Sequence, residues 1–299
     1  MPFAHTPYDG SARPFTIGLK RLDLKDWIEP DHRLEADLAE KNALLCGARD
    51  AVFAEEAGSR PAQGEVLALL AAHLVQQFPA LYRAEGDRMR IGAGGRLIAL
   101  DSDAPLLVAG QMVQEDLVLL QRGETGWRMV AASLSFPSSW LLAEKFGRDM
   151  AAIHAGVPGY AGQMGERVAR IFDHLAVDQP VWRLNWSLQG NARLHHPPET
   201  GRGARFPSGD DLGLAAHLRV ERQTLRRLPV SGAILFTIRV YLDPLAALRR
   251  HAEGAALATG LRQQLRDLTG EQLAYKGLSD HREAIDALLA EIAEPRQPD

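Results

Sequence analysis

Short runs of Leu and Val between residues 96 and 136 constrain the fold more than any other feature of the sequence. The runs read RLIAL, LLVAGQMV, DLVLLQR and WRMVAASLSF. Turn residues separate them, as at Asp101–Asp103 and Gly123–Gly126. Short apolar runs bounded by turn residues are typical of strands, and connections this short join only antiparallel neighbours. We therefore expect an antiparallel meander in this part of the chain.

Two helical patterns and three further strands follow the meander. The helices are predicted over residues 139–154 and 162–176, and the strands read VWRLNWSL, HLRVERQTLRRL and GAILFTIRVYL. The turn PVSG joins the last two strands as a hairpin. This order of strands, helices and three antiparallel strands is PAS-like, so we expect an α+β fold with helices packed on an antiparallel sheet.

Helical patterns also flank this central region. One helix is expected after Asp31 as its N-cap, and a second over PAQGEVLALLAAHLVQQF, with Pro61 in its first turn. The C-terminal part is again predicted to be helical. The expected organisation is a mainly helical N-terminal extension over residues 1–95, a PAS-like core over 96–245 and C-terminal helices over 246–299.

Composition and charge exclude several classes of function. The net charge of −4 and the pI near 6.2 argue against a nucleic-acid partner or an anionic membrane surface. No apolar window reaches membrane-spanning length, and the N-terminus does not resemble a signal peptide. The one cysteine, Cys46, cannot form an internal disulfide and is expected to be a buried thiol in a helix. These features indicate a folded protein of a reducing, cytoplasmic compartment.

His154 stands near the end of the first central helix, in the segment LLAEKFGRDMAAIHAGVPGY. A helical wheel puts an apolar stripe beside a column of small residues, and His154 flanks that column. The stripe is Leu142, Phe146, Met150 and Ile153, and the column is Ala143, Gly147, Ala151 and Ala155. A smooth groove beside an imidazole would let a flat ligand such as a porphyrin approach the backbone. A helix-capping imidazole next to a helix-packing seam explains the same pattern.

Three other histidines compete with His154 as ligands. His195 and His196 are adjacent, so on a strand they would point to opposite faces, and a Pro-rich loop is the simpler interpretation. His174 lies at the edge of the apolar face of the second central helix, where a half-exposed surface residue is the alternative. The sequence contains no HExxH, CxxC pair, Walker A motif or nucleophile elbow, which argues against hydrolases and nucleotide-binding proteins.

The segment VERQTLRRLP, residues 220–229, carries charge on both faces of its predicted strand. Alternation sends Glu221, Gln223, Leu225 and Arg227 to one face, and Val220, Arg222, Thr224 and Arg226 to the other. Arginines that emerge from a sheet can bind carboxylates such as haem propionates in a bidentate manner. A surface ladder of ion pairs explains the arginines equally well.

Several of these strings together resemble one known family. AEKFGRDMAAIHAGVPGY, VWRLNWSL and HLRVERQTLRRLPVSGAILFTIRVYLDPL are similar to the haem-dependent oxidative N-demethylase family, which includes the haem subunit of dimethylamine monooxygenase. The resemblance runs from about Phe15 to Leu245. It implies a PAS-like fold that binds haem b and acts as an oxygenase on dioxygen and a small methylated amine. It also implies NADPH, FMN and a 2Fe-2S cluster on a partner reductase subunit, with formaldehyde passed to a tetrahydrofolate-linked partner.

The resemblance also implies roles for individual residues. The family pattern Ile-His-x-Pro-Val-Pro corresponds here to residues 153–158, with Gly156 in place of the first proline, so His154 is the expected axial ligand. Candidates for binding the methylammonium cation are Glu221, Trp186 and Tyr160. The alternative explanation is core packing for the two aromatic residues and an ion pair with an adjacent arginine for Glu221. Arg222 and Arg226 are expected to hold the propionates. Asn185 is a candidate for orienting substrate or bound oxygen, and a turn or backbone contact explains this residue equally well.

Three alternatives to this enzyme remain open at the level of sequence. The first is a haem-based sensor or carrier that binds the cofactor without turnover. The second is a haem-free scaffold subunit, which Gly156 slightly favours. The third is a metal hydrolase that uses His195 and His196, for which the sequence offers no carboxylate ligands at suitable spacing.

Overall fold

The computed structural model describes residues 3–11, 13–198, 206 and 212–294. Its helices are α1 (Leu34–Val52), α2 (Arg60–Gln77), α3 (Pro105–Gly110), α4 (Leu142–Lys145), α5 (Met150–Ile153), α6 (Gly165–His174), α7 (Leu212–Ala215), α8 (Gly254–Asp267), α9 (Gly270–Lys276) and α10 (Arg282–Ala293). Its strands are β1 (Lys20–Arg21), β2 (Phe53–Glu55), β3 (Tyr82–Glu85), β4 (Arg88–Ile91), β5 (Arg96–Ala99), β6 (Asp116–Arg122), β7 (Trp127–Ser133), β8 (Val181–Gln189), β9 (His217–Arg227) and β10 (Ile234–Pro244). The predicted α+β class is therefore confirmed. Within the described ranges, no helix combines the length and the apolar character needed to span a membrane.

Seven strands form the main sheet in the order β1-β8-β9-β10-β6-β7-β2, and each neighbouring pair is antiparallel. The hairpin of β9 and β10, predicted from the PVSG turn, pairs from Ile234 opposite Arg227 to Pro244 opposite His217. Strands β3, β4 and β5 form a separate small sheet. This small sheet extends across residues 95 and 96, where the sequence analysis put a domain boundary.

Alternation along the strands gives the main sheet two faces with different neighbours. One face is covered by α1, α2 and α3 at one end and by α8 and α10 at the other, with apolar cores under both groups. The other face packs against the segment that carries α4, α5 and α6. Residues paired across strands share a face, so Asn185 lies beside Glu221 and Arg183 beside Gln223.

Two elements of the central region differ from the prediction. The run LLVAGQMV is not a strand, because most of it lies in α3, whose first turn contains Pro105. The helix predicted over 139–154 is two short helices, α4 and α5. Between them Gly147 has φ 73°, and its N–H donates to the carbonyl of Met129 on β7 at 3.1 Å. The column of small residues is therefore not a continuous groove.

Two smaller expectations at the N-terminal end are also wrong, and β3 and the start of β4 lie among the first ninety residues beside the helices. Asp31 is not the N-cap of α1, because Arg33 holds that position. Cys46 lies in α1 as predicted, but its side chain is exposed rather than buried.

Candidate functional site

A cavity of about 430 Å³ lies between the main sheet and the segment of α4, α5 and α6. Apolar side chains from both sides form much of its wall, among them Val118, Leu120, Leu225 and Phe236 from the sheet and Ile153, Val157, Val168 and Phe172 from the helical segment. A few polar groups converge on this apolar space. Such a combination is typical of sites for cofactors and small molecules.

His154 enters the cavity from a single capped turn of helix. Strand β7 interrupts the preceding helix at Gly147, so a new turn has to begin. Asp149 starts it as N-cap, and its Oδ1 accepts a hydrogen bond from the N–H of Ala152 at 2.8 Å. The four-residue α5 follows, and His154 occupies its C-cap position. The imidazole is therefore placed against the sheet by a short element with a defined start and end.

The imidazole of His154 has the hydrogen-bonding pattern of a metal ligand. Its Nδ1 lies 2.9 Å from the carbonyl oxygen of Met150. Because that oxygen only accepts, Nδ1 carries the hydrogen and Nε2 keeps its lone pair. Burial lowers the pKa of His154, and the charges of Lys145 and Arg183 act in the same direction. A neutral imidazole with a held Nδ1–H is the form that binds metals.

Tyr160 supports the imidazole from one side. The two rings stack with their centroids 4.4 Å apart and an interplanar angle of 12°. Tyr160 is buried and lines the cavity. Stacking restricts rotation of the imidazole, so Tyr160 contacts the candidate ligand His154 as well as the cavity.

Paired residues of β8 and β9 form the polar wall. Glu221 Oε2 accepts a hydrogen bond from Nε2 of Gln223 at 2.9 Å, and Glu221 Oε1 lies 3.4 Å from Nε of Arg219. Asn185 is directly opposite Glu221 and also lines the cavity. Among the described residues, Glu221 is the single carboxylate in the cavity wall. It is therefore the group that can bind a cation there.

Two cations in the cavity wall, Arg183 and Lys145, were not predicted as site residues. Nε of Arg183 is buried and has no hydrogen-bond partner within the part of the chain that the structure describes. The ammonium group of Lys145 lies over the ring of Trp140, 4.6 Å from its centroid. Burial lowers the pKa of both groups. Since a buried cation is stable only with a partner, these two positions suit an anionic ligand.

Trp186, Arg222 and Arg226 project to the opposite face of the sheet and do not line the cavity. Trp186 is 3% exposed, and its Nε1 donates to Oε1 of Gln264 at 2.7 Å. Arg222 forms an ion pair of 2.9 Å with Glu29. The guanidinium of Arg226 stacks 4.2 Å from the centroid of the Trp27 ring. These positions correct the sequence analysis, because they do not suit contact with an amine or with propionates in the cavity.

The competing histidines occupy other environments. His174 is exposed, and its Nδ1 bonds to the carbonyl of Arg170 at 2.8 Å, outside the cavity wall. Nδ1 of His195 bonds to the carbonyl of Ser135 at 2.7 Å. His196 is buried and does line the cavity. Across residues 3–11, 13–198, 206 and 212–294, no three or more His, Cys, Asp or Glu side chains are grouped so as to hold a metal ion.

The N-terminal segment and α9 complete the cavity. Phe15 and Tyr275 make a T-shaped ring contact with their centroids 5.8 Å apart. Phe15 has φ 56°, a left-handed conformation that bulky residues rarely adopt. Lys276 follows Tyr275 in the wall. Sequence patterns could not identify these residues as part of the same cavity as His154, because their positions depend on how the two ends of the chain pack.

A comparison with protein families agrees with this geometry. A family model described as "Haem-dependent oxidative N-demethylase, alpha subunit-like" matches residues 18–286. The match confirms the family that the sequence resembles. It includes His154, Arg183, Glu221 and α9, and it extends beyond Leu245, the end of the resemblance seen in the sequence.

Proposed function

The chain belongs to the family of haem-dependent oxidative N-demethylase, alpha-subunit-like proteins, and from this membership we propose that it is the haem-bearing oxygenase subunit for a small methylated amine. The observation that carries the proposal is His154, which lines the cavity and whose Nδ1 is held by a backbone carbonyl, so that Nε2 keeps its lone pair. The strands, helices and three antiparallel strands around it support a PAS-like arrangement of the central region.

The residues of the cavity fit haem b. His154 would hold the iron through Nε2, with its second nitrogen hydrogen-bonded as is typical of metal-ligating histidines. Arg183 and Lys145 supply two half-buried positive charges in the cavity wall, which match the two propionates in number and sign. The apolar walls suit the faces of a porphyrin.

Bound haem would supply the activation of dioxygen and the oxidation of the N-methyl group. The overall reaction consumes one dioxygen, two electrons and two protons, and it yields the demethylated amine, formaldehyde and water. In this scheme Glu221 binds the methylammonium cation, and Gln223 holds the Glu221 carboxylate through its hydrogen bond. Asn185 orients the substrate from the neighbouring strand, and Tyr160 fixes the plane of the imidazole.

The electrons in this proposal come from a partner subunit. The chain has one cysteine and so cannot hold a four-thiolate iron–sulfur cluster. We place NADPH, FMN and a 2Fe-2S cluster on a separate reductase, and formaldehyde leaves toward a tetrahydrofolate-linked partner. The words "alpha subunit-like" in the family description support an assembly of several subunits.

The test of haem binding is an ultraviolet–visible spectrum of the protein expressed with haem supply, before and after dithionite and carbon monoxide. We expect a stoichiometric Soret band that His154→Ala loses and that His174→Ala keeps, since His174 lies outside the cavity. A wild-type spectrum in His154→Ala would overturn the ligand assignment. Absence of specific haem uptake by the wild type would point to a haem-free scaffold.

Substrate binding is tested on the same preparation. Dimethylamine should perturb the ferric spectrum, and reduced enzyme with dioxygen should release formaldehyde. Glu221→Gln should weaken amine binding at least about tenfold, by loss of a charge-assisted contact, without changing haem content. Haem uptake with no response to any methylated amine would instead indicate a sensor or carrier.

A further inference from the structure

Lys276 is a buried cation of the cavity wall that the proposed reaction does not use. It lies at the end of α9 and is 7% exposed. Its Nζ donates a hydrogen bond to the carbonyl of Trp186. The ammonium group also lies 4.7 Å from the centroid of the Trp186 ring and 5.1 Å from that of Phe15. An ammonium between two aromatic rings is held as a methylammonium ligand would be.

Charged groups from two strands act on Lys276. Burial lowers the pKa of Lys276 to about 8, Glu221 on β9 opposes that change, and Arg183 on β8 adds to it. The phenol of Tyr275 is its titratable neighbour on α9. Lys276 and Glu221 line the same cavity, and the carbonyl that binds Lys276 belongs to Trp186, next in sequence to Asn185, which lies directly opposite Glu221. The cation paired with Glu221 is Arg219, whose Nε lies 3.4 Å from Oε1. The same carboxylate is the binding group for a cationic substrate.

A cationic amine on Glu221 would bring a second positive charge close to the ammonium of Lys276. Like charges repel strongly in a partly desolvated cavity, and proton release from one partner removes the repulsion. We propose that Lys276 is a specificity-determining residue: its ammonium competes with a cationic amine for Glu221, so the cavity takes up the amine when Lys276 has released its proton. This inference rests on the proposed amine-binding function.

Because cation binding and proton release from Lys276 are coupled, the proposal predicts how the affinity for a cation changes with pH. If cation binding displaces a proton from Lys276, the apparent affinity rises by up to about tenfold for each pH unit below about 8 and levels off above it. Binding must then release close to one proton at a pH of about 7. A purely structural lysine would give neither effect.

The experiment is calorimetric titration of the haem-loaded protein with tetramethylammonium chloride, whose charge does not change with pH. Titrations between about pH 6.5 and 9.5, in buffers of different ionisation enthalpy, give both affinity and proton release. For the wild type we expect at least a fivefold gain in affinity across this range, with proton release at the acid end.

Variants of Lys276 separate its charge from its packing. Lys276→Met should bind tightly at all pH values without proton release. Lys276→Arg should bind weakly throughout, because arginine keeps its proton. Tyr275→Phe should behave as the wild type, which excludes the neighbouring phenol as the titrating group. Proton release that persists in Lys276→Met would overturn the proposal.

The remaining outcomes distinguish this inference from the proposed function. Haem uptake with tight but pH-independent cation binding in the wild type would refute the role of Lys276 and leave the oxygenase proposal standing. No cation binding by either the wild type or Lys276→Met would refute the amine site at Glu221, and with it both proposals.

Discussion

His73 of α2, which packs on the side of the sheet away from the cavity, is a half-buried imidazole that makes the free energy of unfolding depend on pH. Its ring packs edge-on against Trp27 at a centroid distance of 5.2 Å. Its Nε2 is buried without a hydrogen-bond partner among the described residues. Burial and then the charge of Arg226 lower the pKa of His73 from its ordinary 6.5 to about 4. The folded state therefore disfavours a proton that the unfolded chain accepts.

This difference predicts a loss of stability in acid. Because the folded pKa lies below the unfolded one, the free energy of unfolding is highest above pH 6.5 and falls as the pH drops toward 4, by at most about 3 kcal/mol. Urea unfolding at about pH 7.5, 6 and 4.5 measures it. His73→Met should flatten this part of the profile, whereas His32→Met, at an exposed position, should not. Equal acid losses in the wild type and His73→Met would contradict the assignment.

Residue patterns in the sequence predict which side chains share a face but not what covers that face. Alternation correctly placed Glu221 and Arg222 on opposite sides of β9. It could also have identified Arg183, which is two residues from Asn185 on the same strand. Whether the face with Glu221 or the face with Arg222 borders a cavity depends on where distant helices pack. No pattern within one strand carries that information.

At the scale of one element, the candidate ligand His154 depends on α5, a helix of four residues. Its start relies on the hydrogen bond from Ala152 N–H to Asp149, because the turn is too short to be stable alone. Asp149→Ala should lower the free energy of unfolding by about 1 kcal/mol and should speed haem loss, as His154 becomes less firmly placed. Haem transfer to an excess of apomyoglobin measures the second effect.

Asp149→Asn is the matched control for this cap. Asparagine caps helices about as well as aspartate, so both stability and haem loss should stay near the wild-type values. If Asp149→Asn loses haem as fast as Asp149→Ala, the charge of Asp149 matters rather than its hydrogen bond. In that case the capping explanation is wrong.

The elements that the sequence mispredicted are those decided by contacts with another element. The pattern of residues 139–154 fits one helix. In the structure the carbonyl of Met129 on β7 accepts a hydrogen bond from Gly147, and this contact divides the segment into two helices. The LLVAGQMV run is apolar enough for a strand or a buried helix, and periodicity does not distinguish the two in short runs. The long hairpin of β9 and β10 was predictable because its turn and both strands are local in sequence.

At the scale of the whole molecule, a group of buried charges attaches the N-terminal helices to the sheet behind the site. Lys41 of α1 donates to the carbonyls of Gly110 and Val113 at 3.4 and 3.1 Å. Its Nζ also lies 3.6 Å from the carboxylate of Asp116 on β6, and both side chains are 1% exposed. Arg239 on β10 binds Asp31 of the N-terminal segment at 2.9 Å. These contacts fix the sheet on which Glu221 and Arg183 are arranged.

If Lys41 is replaced, the buried carboxylate of Asp116 loses a positive partner, and the carbonyls of Gly110 and Val113 lose a hydrogen-bond donor. Lys41→Met should therefore reduce the free energy of unfolding by about 3–5 kcal/mol. The matched control is Lys25→Met, which removes an ion pair of similar length, 3.1 Å to Asp23, whose side chains are 64% and 58% exposed. That change should leave the free energy of unfolding close to the wild-type value, because solvent screens an exposed ion pair. Urea unfolding at neutral pH compares the two variants, and similar losses in both would show that the buried group does not hold the N-terminal helices to the sheet.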